Sequence, residues 1–286
     1  MAVPSITFIG GGNMCEAILS GLLKTGHPTS HVRVSDVNAD RREYLHSTYS
    51  IDTFDDNAEA VLGTTASVSK NVPVNVVVLA VKPQVVGAVV RGLSQSLNQA
   101  KPLVISIVAG VQIKDLQRWI GGAVPLVRLM PNTPALVGEG AAGMFADHDV
   151  TPAQRTQTEY VVQNIAKVHA WVDTESDIDA VCAISGSGPA YFFLVLEAME
   201  KAGVEMGLEK SVARRLAAQT ALGAATMVLS SDEEVGELRR KVTSPNGTTH
   251  AAVESMIEAG VPKGVAQGVR ACKARCASLS EEFGQL

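Results

Sequence analysis

From Ile6 to about residue 170 the chain alternates short apolar runs with stretches whose apolar residues recur every three or four positions. The short runs are Ile6–Ile9, Val32–Ser35, Val74–Val81, Leu103–Ile107 and Val124–Met130. They are rich in β-branched residues and predict strands. Their nearly unbroken apolar character suits strands covered on both faces, as in a parallel sheet. Between them, Asn13–Lys24, Asp40–Ser47, Gln84–Ser96 and Ile113–Ile120 carry the helical period. A further unit adds a helix over Pro152–Asn164, with Thr151 as its N-cap and Pro152 at its first position, and a strand over His169–Val172. After Trp171 the pattern changes. An acidic stretch, Asp173–Ala180, leads into segments without alternation: Pro189–Ala202, Glu209–Leu229, Asp232–Lys241, Thr248–Ala259 and Pro262–Phe283 all read as helices. The prediction is α/β plus α, a doubly wound parallel sheet over 1–172 and an all-helical domain over 173–286.

Composition narrows the function. With 286 residues, 46% of them apolar and 19% charged, the chain has material for two folded domains. A net charge of -5 without a basic block argues against a nucleic-acid partner, because phosphate binding needs clustered Lys and Arg. Aromatic residues at 4% argue against base-stacking platforms. Uninterrupted apolar runs are far shorter than the ~18 residues of a membrane span, and no leader pattern opens the chain, so no membrane partner and a cytoplasmic location are expected. The four cysteines form no CxxC pair and read as reduced thiols. Cys272 and Cys276 stand one helical turn apart, but no His or Cys partner is near them in the sequence, so no metal site is expected. The six histidines are scattered, and none is assigned a catalytic role.

Candidate chemistry begins at the first predicted strand. Ile6–Ile9 runs into Gly10, Gly11 and Gly12, and a helix follows at Asn13. Gly10 permits a tight turn, Gly12 leaves room for a pyrophosphate, and the amides opening the helix point at it. Cys15 occupies the third small position of GxGxxG. At the end of the second strand, Asp36 suits a ribose 2′-hydroxyl, whereas Ser35, Asn38, Arg41 and Arg42 suit a 2′-phosphate. Lys82 and the stiff loop Pro131-Asn132-Thr133-Pro134 also fall at strand ends, with Asn132 either an orienting amide or a turn residue.

Five strings in order, FIGGGNM at 8–14, AVKPQ at 80–84, MPNTPA at 130–135, SGSGPAYFF at 185–193 and VTSPNGTTHAA at 242–252, make the chain resemble the pyrroline-5-carboxylate reductases over essentially its whole length. The resemblance implies a Rossmann-like domain followed by a helical domain that interlocks with that of a second subunit. It implies an active site at the subunit interface, a homodimer, and larger assemblies up to a decamer. It further implies reduction of 1-pyrroline-5-carboxylate to L-proline by NADPH or NADH. By position, cofactor contacts fall on Ile9, Gly10, Gly11, Gly12, Asn13 and Met14. Ser35 and Asn57 fall at the adenosine portion, and Ala80, Val81, Lys82, Pro83, Ile107, Val108 and Ala109 at the nicotinamide half. Substrate contacts fall on Glu175, Asn246, Gly247, Thr248 and Thr249. Thr249 and Asp232 are the catalytic candidates, Asp232 being one methylene shorter than the glutamate common in the family. Lys241 does not match the family's asparagine and is left out.

The residues suit that chemistry. A protonated cyclic imine is already a strong hydride acceptor, so a site that aligns it and keeps its nitrogen protonated suffices. The loop Thr243–Thr249 precedes a helix whose free amides can hold a carboxylate, and Thr249 can offer a hydroxyl to the ring nitrogen. By themselves, Ser, Asn and Thr there are equally the expected residues of an N-capping turn. Ser185–Pro189 reads as a kink or close backbone approach. The β-hydroxyacid dehydrogenases share the two-part layout but carry a lysine four residues beyond the second glycine of their interdomain helix. Here that position is Phe192. A dinucleotide-binding sensor without catalysis would be expected to lose the polar substrate loop, which is intact.

Overall fold

A computed structural model describes residues 3–63 and 73–285. They divide into two compact units, one of residues 1–187 with 272–286, the other of residues 188–271. The change of sequence pattern at 172/173 lies inside the first unit, which also takes in the last helical turns of the chain.

The first unit is built on eight strands: β1 (Ile6–Ile9), β2 (Val32–Ser35), β3 (Asp52–Phe54), β4 (Val76–Leu79), β5 (Leu103–Ser106), β6 (Leu126–Met130), β7 (Gly140–Ala146) and β8 (Ala166–Trp171). Their order across the sheet is β3-β2-β1-β4-β5-β6-β7-β8. The reversal of strand order between β1 and β4 is the switch point at which ligands of open α/β sheets collect. Every pairing is parallel except β6 with β7, so the sheet is mixed rather than wholly parallel. The reason is the short connection: a 3₁₀ turn over Thr133–Val137 returns the chain beside β6, too short for a crossover. Strands β1, β2, β4, β5 and β6 are buried at every position, as their unbroken apolar runs require.

Helices α1 (Asn13–Lys24), α2 (Ala39–Tyr49), α3 (Asn57–Leu62), α4 (Pro83–Ala100), α5 (Ile113–Ile120) and α6 (Pro152–Val162) belong to this unit. They cover two apolar cores. One gathers Phe8, Ile18, Leu22, Val34 and Val78; the other gathers Ile9, Leu79, Val90, Leu93 and Trp119. α6 starts with a complete capping box, Thr151 and Gln154 satisfying each other's backbone amides.

After β8 come α7 (Asp177–Val181), a π-helical turn over Cys182–Gly186, and α8 (Gly188–Glu205). The second unit contains α8, α9 (Lys210–Leu229), α10 (Val235–Lys241), α11 (Thr248–Glu258) and the first part of α12 (Val261–Gly284). It is short of interior. α8 buries only its glycines 188 and 203, α9 only Ala213 and Ala217, and α10 and α11 bury nothing. Phe192, Phe193, Leu194, Leu216, Leu222 and Leu229 are all more than half exposed. Helices that leave such apolar stripes uncovered are half of an interface. By length and composition the run Asp177–Glu205 would also pass for a membrane span, against the expectation from uninterrupted runs.

Candidate active site

β1 ends at the glycine loop. Gly10 has φ +98°, and a Cβ there would stand 2.7 Å from the carbonyl oxygen of Ala80. Its amide donates to the Ser35 carbonyl (2.8 Å), which fastens the loop to the end of β2. A Cβ on Gly11 would come within 2.9 Å of Leu45, whereas one on Gly12 would meet nothing within 4 Å. Gly12 is the exposed N-cap of α1, and no side chain caps that end. The outcome is an uncapped helix start behind open space, which fits a pyrophosphate held by backbone amides. Asn13 is exposed and Met14 half-buried, while Cys15 is fully buried, its thiol pushed up by burial.

The residues at the end of β2 are occupied in ways the sequence did not disclose. The Asp36 carboxylate accepts from the Gly11 amide (2.7 Å) and the Asn38 amide (2.8 Å), so it shapes the loop. Asn38 caps α2. Arg41 donates to the Gly11 carbonyl and pairs with Glu16, both at 2.5 Å, and Arg42 donates to the Asp36 carbonyl (2.7 Å). Burial would raise the Glu16 carboxyl, but hydrogen bonds from Arg41, Tyr49 and Tyr44 outweigh it and hold the group below the usual range. The same cluster pushes the Tyr49 hydroxyl up to about 12, through burial and then through Glu16. Glu16 belongs to no sequence motif; its position one turn into the loop helix, facing Arg41, Tyr44 and Tyr49 on the next, is the signal that marks it. Ser35, fully buried, donates to the Asn57 side-chain oxygen (2.6 Å), which brings together the two residues expected at the adenosine portion.

Ala80 and Val81 are half-buried at the end of β4, and Lys82 is the exposed N-cap of α4, with Pro83 at its first position. Ile107 and Ala109 are half-buried beyond β5; Val108 is buried, its amide on the Ser106 hydroxyl (3.3 Å). Thus the residues expected at the nicotinamide half follow the ends of two adjacent strands, β4 and β5. Asn132 turns out to be a structural tie: its amide donates to the Ser185 carbonyl (3.1 Å) and accepts from the Ala141 amide (2.9 Å). It positions the Ser185–Gly188 segment, whose kink is the π turn.

Glu175 lies in the first unit. Its carboxylate accepts from the Ile113 amide (2.7 Å) and from Arg128 (3.0 Å), a buried guanidinium on β6. Arg128 also faces Asp179 at 3.8 Å. Burial raises the Asp179 carboxyl, and Arg128 and Lys273 offset part of that rise.

In the second unit, Asn246 takes a left-handed conformation (φ +60°), and Gly247 follows as the N-cap of α11. No side chain caps this end either. The capping-turn alternative for Ser, Asn and Thr therefore lacks its hydrogen bond. Thr248 and Thr249 are the exposed first residues of the helix, beside amides without an intrahelical acceptor. Asp232 is exposed in the coil before α10.

Cys272 and Cys276 do have a thiol partner: the fold brings Cys182 beside them, the three sulfurs lying within 4.8 Å of one another. The partner was invisible because it sits at the start of the π turn, far away in the chain.

Two family models match the chain. One, described as NADP oxidoreductase coenzyme F420-dependent, covers residues 5–110, and one, described as pyrroline-5-carboxylate reductase dimerisation, covers residues 175–279. The chain is 45% identical over 285 residues to a pyrroline-5-carboxylate reductase of Pseudomonas aeruginosa, covering 100% of both. It is 40% identical to that of Pasteurella multocida, over 99% of this chain and 100% of the relative. Among solved structures, a pyrroline-5-carboxylate reductase of Coxiella burnetii superposes with a TM-score of 0.87 at 36% identity, covering 97% and 99% of the two chains. A pyrroline carboxylate reductase of Plasmodium falciparum with NADP bound gives 0.85 at 26%, covering 98% and 99%.

Proposed function

The chain belongs to the pyrroline-5-carboxylate reductase family, and from that premise we propose that it reduces 1-pyrroline-5-carboxylate to L-proline with NADPH or NADH, the last step of proline biosynthesis. The dinucleotide, when bound, supplies the hydride. Gly12 and the amides opening α1 hold its pyrophosphate, and Gly10 and Gly11 set the loop between Ile9 and Met14 that makes the cradle. Ser35 and Asn57 hold the adenosine portion. Ala80–Pro83 and Ile107–Ala109 line the nicotinamide half.

The carboxylate of the cyclic imine is held at the uncapped start of α11, by the amides of Thr248 and Thr249; Gly247, whose own amide is tied to the Ser244 carbonyl (3.0 Å), leaves room for the close approach, and Asn246 shapes it. The Thr249 hydroxyl accepts from the protonated ring nitrogen before reduction and donates to the lone pair of the amine afterwards. Asp232, an exposed carboxylate in the same unit, favours the protonated imine. Glu175 is the remaining candidate for a substrate contact, and its carboxylate also fastens Arg128 of β6 and the amide that opens α5. Alignment supplies most of the acceleration, within the ~7–11 kcal/mol that well-oriented reactants can gain.

The observation that carries this reading is the pair of uncapped helix starts, Gly12–Asn13 and Gly247–Thr248, each a ready seat for an anion. Phe192 supports it against alcohol oxidation, which needs a base where this chain has an aromatic ring. The helical region covering residues 175–279 serves as the dimer interface, the helical domains interlocking and the active site lying at the subunit boundary, with larger rings up to a decamer. The uncovered apolar faces of α8 and α9 support the interface in preference to a bilayer, and the enzyme works in the cytoplasm. The test is steady-state turnover of 1-pyrroline-5-carboxylate with NADPH and with NADH, beside a β-hydroxyacid oxidation assay. Turnover of the imine alone is expected; oxidation of the hydroxyacid alone, or tight dinucleotide binding without turnover, would overturn the reading.

A further inference from the structure

Cys182, Cys272 and Cys276 are brought together from the π turn and from α12, all within the first unit. Cys182 and Cys276 are buried and share an apolar cluster with Met130 and Ile178, while Cys272 is half-exposed. The Ser187 hydroxyl lies 3.2 Å from the Cys272 sulfur. Packing alone does not call for three thiols at one point, one from the π turn and two from successive turns of α12. Three sulfurs on metal bonds of ~2.3 Å stand roughly 4 Å apart, which the observed spacing already allows.

We propose that these three cysteines form a zinc site, with the Ser187 hydroxyl or a water as fourth ligand. The donor set selects a thiophilic ion, since it offers sulfur and no imidazole. Charge then favours a divalent ion. Three thiolates on Zn²⁺ leave one net negative charge in a mostly buried place, against two for a monovalent ion such as Cu⁺. Lys273, next to Cys272, and Arg128, facing Asp179, are the neighbouring cations; Asp179 is the neighbouring acid. Binding forms three zinc–sulfur bonds and breaks three S–H bonds, the protons passing to solvent. No oxidation is involved. The half-exposed Cys272 is the entry point, and the bound ion fastens the π turn to the last helix.

The test uses the full-length, fully reduced protein without oxygen. Zn²⁺ is titrated against a chromophoric chelator, and Co²⁺ replaces it as a spectroscopic reporter. One ion per chain is expected, with the sulfur-to-cobalt charge-transfer band of a thiolate-rich tetrahedral site. C182S, C272S and C276S should each weaken Zn²⁺ binding by roughly a hundredfold or more and remove the band. C272S, at the half-exposed position, keeps the test valid if a core variant fails to fold, and circular dichroism checks each. Equal affinity in wild type and C272S, cobalt bound without the band, or three thiols that stay titratable beside excess Zn²⁺ would each overturn the proposal.

Discussion

Gly10 and Gly12, two positions apart, would respond to an added side chain in different ways. Gly10 is in the left-handed region with a carbonyl 2.7 Å from where a Cβ would be, so Gly10→Ala should lower stability by about 1–3 kcal/mol or more, read as a fall in denaturation midpoint. Gly12→Val meets nothing in the folded chain. It should leave the midpoint nearly unchanged and abolish dinucleotide binding, measured by fluorescence titration, because the branched side chain takes the space of the pyrophosphate. Thr249→Ala separates substrate from cofactor. Losing one hydrogen bond to a charged partner, about 1.5–3 kcal/mol, should reduce turnover roughly tenfold to a hundredfold at unchanged cofactor affinity. Equal losses in both would mean that Thr249 has been misplaced. At this scale the sequence disclosed which residue types matter but not their partners. Asp36, Arg41 and Asn132 could be read as ligand-facing, and the fold uses each internally, because hydrogen-bond partners are chosen by packing across the sheet.

Among elements, the tie from Glu175 to Arg128 and to the amide that starts α5 holds the β8–α7 connection against β6. Glu175→Ala leaves a buried guanidinium short of its nearer acceptor. Because Glu175 is itself part-exposed, the cost should be about 2 kcal/mol, between surface and buried pairs. Glu175→Gln keeps an acceptor and should restore most of the stability; a raised KM in that variant would reveal direct substrate contact. His27, after α1, is buried with its Nδ1 2.9 Å from the Tyr160 hydroxyl of α6. Burial first, and His31 second, lower its pKa. The unfolded chain therefore binds the proton more tightly, so the stability from neutral His27 is present above the ordinary value of ~6.5 and is lost as pH falls through the lowered one. The urea midpoint should drop on acidification over that window, and His27→Gln should flatten the drop. Most elements were legible from periodicity, but β3, β7, α3 and α7 were not. β7 reads Gly140-Ala-Ala-Gly-Met-Phe-Ala146, poor in β-branched residues, and becomes a strand because β6 and β8 flank it.

At the scale of the whole molecule, the helices of the second unit leave large apolar residues uncovered, which a second copy of the chain must bury. A charge placed there should break the assembly: Leu222→Asp, at a position 57% exposed on α9, is expected to give monomers by light scattering and to abolish turnover. Unchanged mass and activity would place the interface elsewhere. By itself, the sequence determined most of the strands and helices, the glycine loop, the polar loop before α11 and the family, since these rest on backbone preferences and side-chain patterns that act over a few neighbouring residues. Only the tertiary structure decided that β7 runs antiparallel to β6, that Asp36 and Arg41 brace the loop, that Glu175 meets Arg128, and that three thiols from two distant segments share one point. Those outcomes depend on which surfaces are pressed together when water is expelled from the core, and that choice is made by the chain as a whole.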